Sequence, residues 1–199
     1  RSYWGILLVF REEFFQLLNG AGVVLDVGCN LQHLKKTILE RKPDTFVVGL
    51  DIVNYSSERE GKVDVLASGE ALPFRPSSFD YVALLLVLAF VDDIPRFLGE
   101  AKRVLKPGGK LLVSIIPAES PWGKYYRERG RRGHPIFRHV KLLTVEELER
   151  ALERAGFEVE KWVSTLYTGP RGEEVVEDPR EGRKDGSFVC VLAAKPYIE

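Results

Sequence analysis

Apolar and polar positions alternate with two periods along this chain. "VVLDVGC" (23–29), "TFVVGLDI" (45–52) and "FDYVALLLVL" (79–88) are short, nearly unbroken apolar runs, the pattern of strands buried on both faces of a parallel sheet. "KVDVLAS" (62–68) and "KLLVSIIP" (110–117) read as two more strands. Helical spacing separates them. It runs through "LQHLKKTILERK" (31–42), stopped by Pro43, and "DIPRFLGEAKRVLKPGG" (93–109), stopped by Pro-Gly-Gly. An earlier helix is predicted over 3–19, ahead of Gly20 and Gly22. Strands that alternate with helices from 23 to 117 predict βαβ units: an α/β, doubly wound, mostly parallel sheet with helices on both faces.

The end of the chain has another rhythm. Thr144 and Glu147 form a capping-box signature for a helix over 144–157, and Gly156 lies near its stop. "FEVEKWVSTLY" (157–167) and "SFVCVLAAK" (187–195) follow with no helix between them, which predicts an antiparallel hairpin closing the sheet edge. The polar loop 168–186 between them carries no assigned chemistry. One domain accounts for the 199 residues: an N-terminal helix (1–22), a core (23–117), a basic and aromatic segment (118–143) and a C-terminal helix with hairpin (144–199).

In an open parallel sheet, ligands bind outside the carboxyl ends of the strands. The residues there are Asp26 and Gly28 after the first strand, Asp51 after the second, Ser68, Gly69 and Glu70 after the third, and Leu84 to Leu88 after the fourth. Asp51 is placed to accept hydrogen bonds from the two hydroxyls of a ribose. It reads equally as a helix N-cap or a solvated loop acid. Cys29, within the first turn, reads as a small buried residue or as a reactive thiol.

"VLDVGC", "GLDI", "GEALPF", "SSFDYV" and "EAKRVLKPGGKLLV", in that order and spacing, resemble the class I S-adenosylmethionine-dependent methyltransferases. The likeness is strongest to the group that includes the ubiquinone and menaquinone enzymes. It covers roughly residues 20–117, and "EELERALERAGFEV" also fits. The resemblance implies a Rossmann-like, seven-stranded sheet whose last strand is antiparallel, and S-adenosylmethionine as cofactor. By position it implies that Asp51 holds the ribose hydroxyls and that Ile52 packs on the adenine. Ser68, Gly69 and Glu70 would lie near the adenine edge. Asp26 and the turn Gly28-Cys29-Asn30 would face the methionine part, and Leu85 would offer backbone there.

Three departures stand out. The family turn, Asp/Glu-x-Gly-x-Gly-x-Gly, is here Asp26-Val27-Gly28-Cys29-Asn30-Leu31-Gln32, so only the first glycine remains. Asn tolerates a left-handed backbone, but Gln32 must send a long side chain somewhere. Ser68 stands where relatives often carry an acid, and Ala89 and Phe90 where many carry histidines.

The segment Lys124 to Lys141 holds seven Lys or Arg against one acid, Glu128, interleaved with Tyr125, Tyr126 and Phe137. It fits an anionic acceptor or RNA, and equally a solvated helix and loop. His134, His139 and Tyr125 are its candidate catalytic groups, and no base is required unless the acceptor must lose a proton. Three functions follow: methyl transfer to a small molecule, methyl transfer to RNA or protein, and a non-catalytic methyltransferase-like scaffold.

Composition changes this little. Lys plus Arg and Asp plus Glu both number 29, so bulk charge selects no partner. Two cysteines make no disulfide framework and lack metal-ligand spacing. The longest apolar run, Tyr81–Val91, is too short to span a bilayer, no signal peptide is visible, and a cytoplasmic protein is expected. The absence of Met and the scarcity of Gln and Asn suggest heat tolerance.

Overall fold

The computed structural model describes residues 22–30, 32–54, 63–170 and 177–197. The helix expected over 3–19 lies outside them. Along the described chain, β1 (Val23–Val27), α1 (His33–Arg41), β2 (Phe46–Asp51), β3 (Val65–Leu66) and β4 (Phe79–Leu85) come first. A 3-10 turn (Val87–Phe90), α2 (Ile94–Val104), β5 (Leu105–Ile115) and α3 (Pro121–Arg131) follow. Then come a second 3-10 turn (Phe137–His139), α4 (Val145–Arg154), β6 (Glu158–Thr165), β7 (Arg180–Glu181) and β8 (Phe188–Ala194).

The strands form one sheet in the order β3-β2-β1-β4-β5-β8-β6-β7. β1 through β5 pair in parallel, and β8 runs antiparallel to both β5 and β6. Alternation along each strand divides the core between the two faces. Leu25, Val27, Val82, Leu84, Leu111 and Val113 pack with Phe97 and Leu98 of α2 and Leu148 and Leu152 of α4. Val24, Tyr81, Ala83 and Leu112 face the other way, toward Leu34 and Ile38 of α1 and Trp122 and Tyr126 of α3. This is the doubly wound architecture that the strand–helix alternation predicts.

Four details differ from the expectations. The sheet gains an eighth strand, because Arg180 and Glu181 of the polar loop pair with Ser164 and Val163. β3 shrinks to two residues. Helix α2 stops at Val104, because Leu105 already has extended backbone and pairs with Phe79, so the Pro-Gly-Gly run belongs to β5. The C-terminal hairpin closes the β5 edge of the parallel strands, as expected, but with its strands out of chain order: β8 inserts between β5 and β6. All seven of its residues are buried, whereas the first half of β6 is largely exposed, so the wholly apolar strand takes the interior place. The capping box forms as the sequence predicts, with Thr144 Oγ1 accepting from Glu147 N–H (3.1 Å) and Glu147 Oε2 accepting from Thr144 N–H (2.8 Å).

Candidate active site

The turn after β1 keeps the backbone of a glycine-rich loop with only the first of its glycines. Gly28, Asn30 and Gln32 have φ of 80°, 47° and 56°, so every second residue is left-handed. For a non-glycine residue that conformation costs about 1–2 kcal/mol and persists only where its surroundings enforce it. Here they do. Gly28 N–H and Cys29 N–H both donate to Leu50 C=O (2.8 and 3.1 Å), Asn30 N–H donates to Asp51 Oδ2 (2.9 Å), and Gln32 N–H closes on Cys29 C=O (2.8 Å). Gln32 turns inward, and its carboxamide covers Gly49 of β2. A Cβ at Gly49 would lie 3.0 Å from Cys29 Sγ and 3.1 Å from Gln32 Cδ and Oε1. The room lost at position 32 is thus supplied at position 49. The signal for it, a glycine inside the apolar strand "FVVGLD", is in the sequence but unread there.

Two buried carboxylates lie behind this turn. Asp51 uses both oxygens, Oδ2 for Asn30 N–H and Oδ1 for Val53 N–H (3.1 Å). Asp26 is 3% exposed. Burial first, and then the nearby Asp51, push its carboxyl up to about 7. The Cys29 thiol is raised to about 12 by burial and by Asp26, Asp51 and Asp64, so it stays protonated and the reactive-thiol reading is set aside. Ile52, next in the chain, is 69% exposed and leaves an apolar surface at the strand end.

Asp26, Gly28, Cys29, Asn30, Asp51 and Ile52 therefore gather at the carboxyl ends of β1 and β2. Ser68, Gly69 and Glu70 follow β3 and make their own contacts. Ser68 Oγ accepts from Glu70 N–H (3.1 Å), and Glu70 itself bonds the start of α2 through Asp93 N–H (3.4 Å) and Arg96 Nε (2.9 Å). Gly69 admits the Phe97 ring, which would stand 2.2 Å from a Cβ there. Leu85 ends β4 half-buried. Beyond it Leu86 is left-handed at φ 58°, with its N–H on Ser114 C=O (3.1 Å) and Oγ (3.2 Å). Val87 then packs on the bare Cα of Gly28, where a Cβ would be 2.6 Å from its Cγ2. The β1 and β4 turns thus touch.

Leu86 of that β4 turn also lines a small, partly open cavity of about 30 Å³, walled by Phe90, Ile116, Tyr126, Phe137 and Leu142 among others. Its roof comes from the basic segment. Trp122, Tyr125, Tyr126 and Phe137 pack on one another with ring centroids 4.4–5.9 Å apart, and all seven Lys and Arg from Lys124 to Lys141 are exposed. The candidate catalytic groups are not among the lining residues. His134 stacks on Phe137 (4.3 Å), and its Nδ1 accepts from the N–H groups of Ile136 and Phe137 (3.3 and 3.4 Å). His139 Nε2 accepts from Arg138 Nε (2.8 Å). Tyr126 lines the cavity and Tyr125 does not. Burial raises the Tyr126 phenol to about 12, so it serves there as a neutral hydroxyl.

Residues 7–161 match the model of a methyltransferase-domain family. The chain belongs to that family. An uncharacterized protein of Methanocaldococcus jannaschii is 32% identical over 157 residues, 77% of this chain and 76% of that protein. A SAM-dependent methyltransferase from Thermotoga maritima is 29% identical, with a TM-score of 0.76 over 97% of this chain and 94% of that one. The mitochondrial arginine-hydroxylase of Mus musculus is 31% identical over 155 residues, and the chain spans only 45% of its length.

S-adenosylmethionine is the cofactor of this methyltransferase. The chain's own residues suit it. A sulfonium and an ammonium are cations, and two buried carboxylates with one raised to about 7 are a seat that a cation improves. Both Asp51 oxygens retain acceptor capacity beyond their single backbone donors. Among the described residues no helix is long and apolar enough to cross a membrane.

Proposed function

We propose that this methyltransferase acts on a small-molecule acceptor that places a small apolar group in the cavity beneath α3. The observation that carries the reading is the shared β4 turn: Leu86 lines the cavity, and the next residue, Val87, packs on Gly28 of the carboxylate-backed turn. A ligand on that turn and a ligand in that cavity would be separated by little more than this turn. Bound S-adenosylmethionine supplies an electrophilic methyl group on a sulfonium.

The chain's residues bind and orient. Asp51 takes the ribose hydroxyls, Ile52 packs on the adenine, and Asp26 with Gly28, Cys29 and Asn30 faces the methionine part. Leu85 offers backbone to the same part. Gly69 and Ser68 border the adenine, while Glu70 holds α2 in place. The apolar walls exclude water and present the acceptor in line, which is most of what methyl transfer needs. Tyr126 donates a hydrogen bond to the acceptor. The left-handed backbone kept at Asn30 and Gln32 supports a working cradle over an abandoned scaffold. Two buried cysteines that form no disulfide suit the cytoplasm, and the composition suits a heat-tolerant protein.

Titration with S-adenosylhomocysteine tests the cradle. Binding in the micromolar range is expected, weakened about 100-fold by Asp51→Ala, as loss of two charge-assisted hydrogen bonds implies. Incubation with methyl-labelled cofactor and a cell extract then tests the acceptor. Label is expected in the low-mass fraction, and label confined to RNA or protein would overturn the small-molecule reading.

A further inference from the structure

We propose that the basic face formed by α3 and residues 132–141 docks on an anionic lipid surface. Its seven cations (Lys124, Arg127, Arg129, Arg131, Arg132, Arg138 and Lys141) are all exposed, against two acids, Glu128 beside Arg131 and Arg132 and Asp92 beside Lys141. The rings of Trp122, Tyr126, His134 and Phe137 pack on one another instead. Tyr126 and Phe137 meet at 4.4 Å, His134 stacks on Phe137 at 4.3 Å, and Trp122 packs on Tyr126 at 5.6 Å. Their faces are therefore engaged within the fold, and recognition of single-stranded RNA needs aromatic faces offered outward for bases to stack on.

What this surface offers among its charges is aliphatic and aromatic bulk of another kind. Ile136 is 55% exposed in the middle of the basic segment. Phe90 is 58% exposed and also lines the cavity. Phe90 lies beside the basic segment, because Lys141 N–H donates to Ala89 C=O (2.8 Å), the Lys141 ammonium pairs with Asp92, and Phe90 lines the cavity with Phe137, the chain neighbour of Ile136. Cations around protruding apolar side chains match an interface of anionic headgroups over acyl chains. A lipophilic acceptor would reach the cavity past Phe90 without crossing water. That delivery role rests on the small-molecule reading; the lipid binding itself does not.

Sedimentation with vesicles tests it, using phosphatidylcholine alone and phosphatidylcholine with about 30% phosphatidylglycerol, at about 0.1 M salt. Binding is expected only to the anionic vesicles, and to vanish near 1 M salt. The double variant Arg131→Gln, Arg132→Gln should weaken partitioning about thirtyfold, from about a factor of five for each surface charge. Ile136→Ser should weaken it about tenfold through lost apolar insertion. Both variants lie on the outer face, so their melting temperature and S-adenosylhomocysteine affinity should match the parent's. Equal partitioning to both vesicle types, or unchanged partitioning of the variants, overturns the proposal. Tighter binding to a single-stranded oligoribonucleotide than to anionic vesicles also overturns it, in favour of RNA. Methyl label confined to RNA or protein with vesicle binding intact would instead count against the small-molecule reading.

Discussion

Asp26 makes the protein's stability depend on pH in the direction opposite to an ordinary ion-paired acid. Its carboxyl rises from 3.8 to about 7 on folding, because burial first and Asp51 second disfavour the charged form. The folded state therefore holds this proton more tightly than the unfolded chain. The stability it contributes is complete below about pH 4 and declines as pH rises. It is gone above about pH 7. At about 1.4 kcal/mol per pH unit, a rise of about three units amounts to about 4 kcal/mol, an upper figure because the site can relax. Asp26→Asn keeps shape and removes the titration. Urea denaturation of parent and variant should agree near pH 4 and separate by a few kcal/mol near pH 8, with the variant more stable. Comparing the two cancels the opposite trends of Glu100 and Asp80, whose carboxyls are held below their ordinary value by Arg103 and by Lys106 with Val23 N–H. A difference that stays the same at both pH values would refute the reasoning. The same site carries a functional sign. A cationic cofactor beside Asp26 should expel its proton, so calorimetric titration near pH 6 should show proton release that Asp26→Asn abolishes.

Three other substitutions have definite outcomes. Gly28→Ala places a Cβ at φ 80° and 2.6 Å from Val87 Cγ2, so about 2–3 kcal/mol of stability and the affinity for S-adenosylhomocysteine should both fall, by thermal shift and calorimetry. Gly49→Ala should destabilise by about 1–3 kcal/mol, and less in a Gln32→Gly background, where the crowding carboxamide is gone and Cys29 Sγ remains; equal losses in both backgrounds would show that the two positions are not coupled. Tyr126→Phe should leave S-adenosylhomocysteine affinity unchanged and lower kcat/KM for the acceptor about tenfold, the worth of one hydrogen bond made in the cavity.

How far the sequence could be read depended on whether a signal was local. Buried strands are long apolar runs, and β1, β2, β4 and β8 all stand within three residues of where such runs occur. The Thr144–Glu147 box is a four-residue pattern and forms as written. The order in which β8 enters the sheet is not local. It depends on which of two antiparallel strands is apolar on both faces, a comparison of β6 with β8 rather than a property of either. The acceptor side failed for a related reason. Tyr125 and Tyr126 are adjacent, and helical geometry separates neighbours by about 100° around the axis. Which of them lines a cavity is set by the phase of α3 against the sheet, and nothing within "KYYR" fixes that phase. His134 and His139 have bases' chemistry, but local geometry hands the nitrogens to Ile136, Phe137 and Arg138.

The glycine turn shows the same distinction most sharply. As a pattern along the chain it is degenerate, since Asn30 and Gln32 replace two glycines. As a structure it is intact, with all three positions left-handed and the loop tied to Leu50 and Asp51. The pattern constrains two separate things: backbone that turns left-handed, and space for the helix to close on the strand. Asn30 meets the first at moderate strain, and its side chain is exposed. Gln32 fails the second unless the strand itself gives way, and Gly49 is where it does. A requirement written at one position of the loop is met at another position of the neighbouring strand, seventeen residues on. Judging such a turn by its own residues alone therefore underestimates it, and the test lies in the coupling between positions 32 and 49.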